Sequence, residues 1–181
     1  DATVTGKISD SAGVVKLEAR IDSSKGKQVD VTPYLQADGS FTFNKQQLET
    51  IKGSPIADGK HTLELIAVDK FGNKSQPFNF NFTLDTTSPE TPTQLAIAGD
   101  KDTTTKDPTP TITGVAAKGE TVELAKGNTN LGKDNVDSND WQITPNSALT
   151  PGDNSLKAVA IDTAGNRSSA ANLKVTVTPP T

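Results

Sequence analysis

Ala67-Val68-Asp69-Lys70-Phe71-Gly72-Asn73-Lys74-Ser75 returns as Ala160-Ile161-Asp162-Thr163-Ala164-Gly165-Asn166-Arg167-Ser168, 93 residues further along a chain of 181. The flanking segments follow in step. Gly59-Lys60-His61-Thr62-Leu63-Glu64-Leu65 aligns without a gap on Gly152-Asp153-Asn154-Ser155-Leu156-Lys157-Ala158. Upstream, Thr3-Val4-Thr5-Gly6 matches Thr111-Ile112-Thr113-Gly114, and Asp38 to Phe43 matches Ser138 to Ile143. A period near a hundred residues is too long for a solenoid unit and marks tandem domains.

Apolar residues alternate on both sides of this motif, which identifies half-buried strands. Phe78, Phe80, Phe82 and Leu84 share one face and Asn79, Asn81 and Thr83 the other; Leu173, Val175 and Val177 repeat the pattern. His61, Leu63, Leu65 and Ala67 form a second stripe, matched by Asn154, Leu156, Ala158 and Ala160. Asp-x-x-Gly-Asn therefore joins the last two strands of each half as a hairpin. Further strands are expected at Val14–Ile21, Val29–Val31, Gly39–Phe43 and Thr121–Lys126, all bounded by turn residues. Each half is small and buries one modest core, and the spacing predicts an all-β chain of two sandwiches. Domains are expected at 1–84 and 93–181, joined by a Pro/Thr linker at 85–92 whose prolines favour extended backbone. Whether Leu95-Ala96-Ile97 pairs as an edge strand is left open by the sequence.

The halves differ in one connection: fifteen residues separate Phe43 from Gly59, against eight between Ile143 and Gly152. Asn44 with Gln47 reads as a capping box, Leu48 and Ile51 share a helical face, and Gly53 can end the segment. The first sandwich should carry about two turns of helix there.

Composition narrows the function. With no cysteine there is no disulfide, thiol nucleophile or thiolate metal site, and with one histidine, His61, any His-based triad or multi-histidine site would need that residue. His61 is matched by Asn154, so both are expected to tie down a corner by hydrogen bonding. The 22 carboxylates sit in turns and beside lysines, with no pair marked out by an apolar pocket. No enzyme is expected. A net charge of −4 disfavours nucleic acid, and no apolar run approaches the length of a membrane span. Trp141 takes the place of Phe41 and alternates with Ile143, which makes it core rather than a sugar-stacking platform. The sequons at Asn73, Asn81 and Asn166 are chemically valid and would mean little if the source is bacterial.

The order of Gly59-Lys60-His61-Thr62-Leu63, the repeated Asp-x-x-Gly-Asn and Asp85-Thr86-Thr87-Ser88-Pro89 resembles the tandem bacterial Ig-like (BIg) repeats of large surface adhesins and biofilm-associated proteins. The resemblance covers nearly the whole chain. It implies two tandem immunoglobulin-like β-sandwich domains in a spacer that holds a binding domain away from the cell, at an extracellular or cell-surface location. Its partners would be neighbouring Ig-like domains of the same chain, with host or biofilm glycans or receptors engaged through other domains. The rival readings are a glycan- or receptor-binding module and accessory domains of an exported hydrolase. The first half departs from the pattern by its helix, the second by Asn154 in place of His.

Calcium between domains is the cofactor the resemblance implies, and acidic turns suit it, because calcium takes six to eight oxygens from Asp, Asn and backbone carbonyls. In an Ig-like topology the last hairpin lies at the end where the domain's first strand begins. Asp162 and Asn166 would then face the linker carrying Asp85, with Asp100, Asp102 and Asp107 adding carboxylates from the leader of the second half. A second half-site, at the N-terminal end, would use Asp1, Asp69 and Asn73 and would need a preceding domain or nearby loop ligands such as Asp22. The alternative is that Asp69 and Asp162 accept amides of their own turns while Gly72 and Gly165 adopt left-handed geometry.

Overall fold

The computed structural model describes residues 3–22, 26–100 and 102–179. Two compact units divide the chain, Asp1–Thr86 and Thr87–Thr181.

The first unit contains strands β1 (Thr3–Lys7), β2 (Val14–Ile21), β3 (Val29–Asp30), β4 (Ser40–Asn44), β5 (Gly59–Asp69) and β6 (Phe78–Leu84), with helix α1 (Lys45–Lys52) after β4. β1 pairs with β4 in a two-stranded sheet, and β3-β2-β5-β6 form the other, with every pairing antiparallel. Between them lie Leu17, Ala19, Val31, Phe43, Leu63 and Leu84, all buried. Phe41 and Phe43 stack at 5.1 Å, and Tyr34 meets Phe43 edge-on at 6.0 Å. Gly6 is needed under this cluster: a Cβ there would come within 2.3 Å of the Phe41 ring.

Helix α1 forms as its residues dictate. The Asn44 side chain accepts from the Gln47 amide at 2.9 Å, the Gln47 side chain accepts from the Asn44 amide at 2.8 Å, and Gly53 ends the helix at φ 77°. Leu48 and Ile51 are its buried face and join the core of the first unit.

The second unit contains β7 (Thr93–Ile97), β8 (Thr104–Thr105), β9 (Ile112–Val115), β10 (Thr121–Lys126), β11 (Thr129–Asn135), β12 (Asp140–Ile143), β13 (Gly152–Ile161) and β14 (Ala171–Val177). One sheet runs β12-β9-β7 and the other β11-β10-β13-β14-β8; only β8 on β14 is parallel. Leu95-Ala96-Ile97 thus lies in an edge strand, with Ile97 buried. β11 has no apolar alternation and buries only Leu131, so the sequence hides it. Trp141 is 2 % exposed, as expected of a core residue. It covers Gly114, where a Cβ would come within 2.5 Å of the indole. Trp141 Nε1 has no hydrogen-bond partner among the described residues.

The two units share one plan. β1, β4, β5 and β6 correspond to β9, β12, β13 and β14 by sequence alignment and by pairing partner, and β2 to β10 by pairing partner. β7 and β8 have no counterpart among the described strands of the first unit.

The β6 stripe departs from expectation. Leu84 is buried and Phe82 half-buried, but Phe80 is 41 % exposed and Phe78 62 % exposed. All four point inward on the pleat, yet the two-stranded β1–β4 sheet is too narrow to cover the last two.

Candidate acidic turns and buried polar corners

The two Asp-x-x-Gly-Asn hairpins are the same object built twice. In the first, Asp69 Oδ1 accepts the amides of Phe71 and Asn73, both at 2.8 Å, and Oδ2 accepts the Asn73 side-chain amide at 2.7 Å. In the second, Asp162 Oδ1 accepts the amides of Ala164 and Asn166, both at 2.9 Å, and Oδ2 accepts the Asn166 side-chain amide at 2.9 Å. The Asn side-chain bond is the chief influence holding each Asp carboxyl below its ordinary pKa, helped by the turn amides and opposed by partial desolvation. Gly72 and Gly165 sit at φ 86° and 90°, where their amides close back onto Asp69 and Asp162 carbonyls at 3.1 Å. The serine two residues beyond each Asn completes the motif. Ser75 Oγ accepts the Ala67 amide and Ser168 Oγ the Ala160 amide, both at 3.0 Å. The repeated Asp, Gly, Asn and Ser of each turn all take part in these bonds.

The remaining acidic residues are dispersed by the fold. Thr93 pairs with Val115 and Thr121 with Ile161, so the Asp162 hairpin lies at the end of the second unit where β7 begins. Asp100 donates its amide to Ile97 at 3.1 Å, beside the start of β9, which is the other end of that strand. Its Oδ1 accepts the Asp102 amide at 3.0 Å. Asp107 follows β8 and its Oδ1 accepts the Thr109 amide at 2.8 Å. β8 is also distant: Thr104 pairs with Thr176, which pairs with Asp153. From there to Ile161 is eight residues, roughly 27 Å of strand. Asp100, Asp102 and Asp107 are therefore not gathered with Asp162 and Asn166. Asp85 belongs to the first unit, and Asp1 lies outside the described residues. Asp22 is not beside Asp69 either: Ile21 pairs with Leu63 while Val14 pairs with Asp69, at opposite ends of β2. Among the described residues no three His, Asp or Glu side chains form a group suited to a metal ion.

Asp22 instead partners His61. Its Oδ2 lies 2.5 Å from His61 Nδ1, its Oδ1 accepts the Thr62 amide at 2.9 Å, and Lys52 Nζ is 3.8 Å away. Partial burial pushes this carboxyl up; bonding to His61 and Thr62 and the charge of Lys52 together outweigh that and leave it below its ordinary value. His61 Nε2 lies 2.7 Å from the Ala57 carbonyl, four residues back. Asn154 holds the equivalent corner by the same reach. Its Nδ2 donates to the Thr150 carbonyl at 2.8 Å, again four residues back, and to Gly152 at 2.9 Å, while its Oδ1 accepts from Lys126 Nζ at 2.6 Å. Both side chains are buried, and each fastens the loop before the long strand β5 or β13. The positional match of His61 and Asn154 revealed the role, but nothing local revealed Asp22, 39 residues away.

Residues 96–178 match the family model of the bacterial Ig-like domain. No curated protein matches the chain in sequence. Among solved structures it is similar to the fibronectin(III)-like modules of CbhA from Clostridium thermocellum, at 13% identity over 98% of this chain and 85% of that one, with TM-score 0.56. It is also similar to the BSP domain of a biofilm-associated protein (20% identity, 100% of this chain, TM-score 0.36) and to a tetra-tandem repeat in the extending region of a large adhesion protein (25%, 96%, TM-score 0.34). The chain spans 28% and 45% of the lengths of those two. With the duplicated sandwich plan and the family match together, the chain is an all-β tandem whose second unit matches the bacterial Ig-like domain family over residues 96–178.

Proposed function

We propose that this chain is a spacer segment of a secreted bacterial surface adhesin, with a mechanical and non-catalytic role. The observation that carries the reading is duplication. The same sandwich plan, the same self-bonded Asp-x-x-Gly-Asn-x-Ser hairpin and the same buried polar corner occur in both units, 93 residues apart. Repetition of scaffold with each copy folded around its own core is what a length-setting element requires, and the bacterial Ig-like match and the resemblance to adhesin repeats supply the context. Among the described residues no helix is long and apolar enough to cross a membrane.

Calcium stiffening is the finer part of the proposal. Asp85 leads out of the first unit, and Asp162 and Asn166 occupy the end of the second unit where its first strand begins. Asp162 Oδ2 takes one hydrogen bond from Asn166, and a carboxylate oxygen has two lone pairs. Extracellular calcium modules bind with dissociation constants of ~10⁻⁴–10⁻³ M, so such a site would fill only outside the cell. Calorimetry on chelator-treated protein should show binding in that range, and small-angle scattering should give a narrower, longer distance distribution in millimolar calcium. Asp85→Ala with Asp162→Ala should remove both effects. Absence of binding heat, with scattering that ignores the chelator, would leave the hairpins as turns alone and the spacer without a calcium clamp.

A further inference from the structure

His61 is the single histidine of the chain, and its ring stands between two groups that can only accept. Asp22 Oδ2 lies 2.5 Å from Nδ1 and the Ala57 carbonyl 2.7 Å from Nε2. A carbonyl has no proton to offer, and the Asp22 carboxyl, held below its ordinary value, has already given up its own. Both ring nitrogens must therefore donate, and a ring that donates twice carries two protons and a positive charge. The neutral ring has one N–H and can serve only one of these partners. The second unit fills the same corner with a group that never meets this choice. Asn154 Nδ2 carries two protons at any pH between about 5 and 8. It gives them to the Thr150 and Gly152 carbonyls.

The groups around the ring decide which bond a neutral His61 would keep. Among the described residues, Asp22 faces it from the end of β2, and Lys52 of α1 lies 3.8 Å from the same Oδ2. β6 contributes the Phe82 ring, 5.6 Å away between centroids, and Lys60 lies on the opposite face of β5. In the loop of residues 53–58, the Ile56 amide donates to Glu49 of α1 at 3.4 Å, and Asp58 Oδ1 accepts from Thr86 Oγ1 at 2.8 Å. An ionised carboxylate is a stronger acceptor than a carbonyl. The proton of the neutral ring accordingly stays on Nδ1, and the bond to Ala57 is the one lost.

We propose that His61 is a pH-operated latch on the loop before β5, closed while the ring holds two protons and open at Ala57 once it is neutral. Ile56 is buried in the core and keeps its place, so the release is confined to Ala57 and Asp58. Asp58 in turn holds Thr86, the residue with which the first unit ends. The latch thus sets how firmly the chain leaving the first unit is held, over the range of about pH 5 to 8 in which imidazole ordinarily titrates. It is a property of the first unit and does not rest on the spacer reading.

Because no second histidine overlaps it, the ring can be read directly by nitrogen NMR of the ¹⁵N-labelled full chain. At about pH 5.5 both ring nitrogens should be protonated, and at about pH 8.5 only Nδ1. Backbone order parameters of Ala57 and Asp58 should fall from about 0.85 at the lower pH to about 0.6 at the higher, while those of Thr150 and Gly152 in the second unit stay constant. His61→Asn, which places the residue of the second unit at this corner, should give the same order at both pH values. A ring that keeps one protonation state throughout would overturn the proposal, as would a neutral ring whose bare nitrogen is Nδ1. So would Ala57 and Asp58 equally ordered at both pH values, or the same loss of order in His61→Asn. If that variant does not fold, the three wild-type outcomes decide the matter by themselves.

Discussion

At the residue scale, exposure rather than residue type separates the aromatic side chains. Trp141→Ala should cost the second unit about 3–5 kcal/mol, the usual range for a buried aromatic truncation, read as a lowered denaturation midpoint for that unit. Phe80→Ala should cost the first unit much less, about 1 kcal/mol or below, because 41 % of the side chain is in water. Equal losses from the two changes would show that Phe80 is covered in solution. Alternation told which face of β6 carries the phenylalanines, but not whether the opposing sheet is wide enough to reach them; that depends on strand count. The Asp22 carboxyl gives a pH prediction. Its folded pKa lies below the ordinary 3.8, so its contribution is present above that value and lost as pH falls through the folded pKa. Acid unfolding of the first unit followed below about pH 4 should be less steep in Asp22→Asn, which has no such proton to gain. A slope identical to wild type would remove Asp22 from the account of that corner.

At the scale of the element, local chemistry decides form and long-range pairing decides place. The capping box of α1 was legible because Asn44 and Gln47 are three residues apart and satisfy one another. Asn44→Ala should cost ~1 kcal/mol, measured by chemical denaturation, and a neutral result would mean the helix is held by Leu48 and Ile51 alone. The hairpins were legible for the same reason, since Asp69 and Asp162 bond only within their own five-residue turns in the contacts described above. The leader was not. Asp100, Asp102 and Asp107 look like companions of Asp162 when only proximity to the linker is weighed, but β7 carries the chain to the far end before Asp100 is reached. β11 escaped notice because its residues are polar and its only fully buried side chain is Leu131.

For the molecule as a whole, duplication made the two-sandwich plan readable, and the difference between the copies is what the repeat itself could not show. A hundred-residue period, two alternating stripes per half and one repeated turn specify the number and kind of units. The spacer role proposed above requires each unit to carry load, which makes resistance to extension the property to measure. Stretching the 181-residue chain between inert handles in a single-molecule pulling experiment tests this most directly. Two abrupt unfolding events are expected, each releasing roughly 250–320 Å of chain at ~3.3–3.6 Å per residue for the ordered part of one sandwich. Trp141→Ala should weaken only one of them. A single event spanning the whole length, or smooth extension without force peaks, would contradict a spacer made of two separately load-bearing Ig-like units.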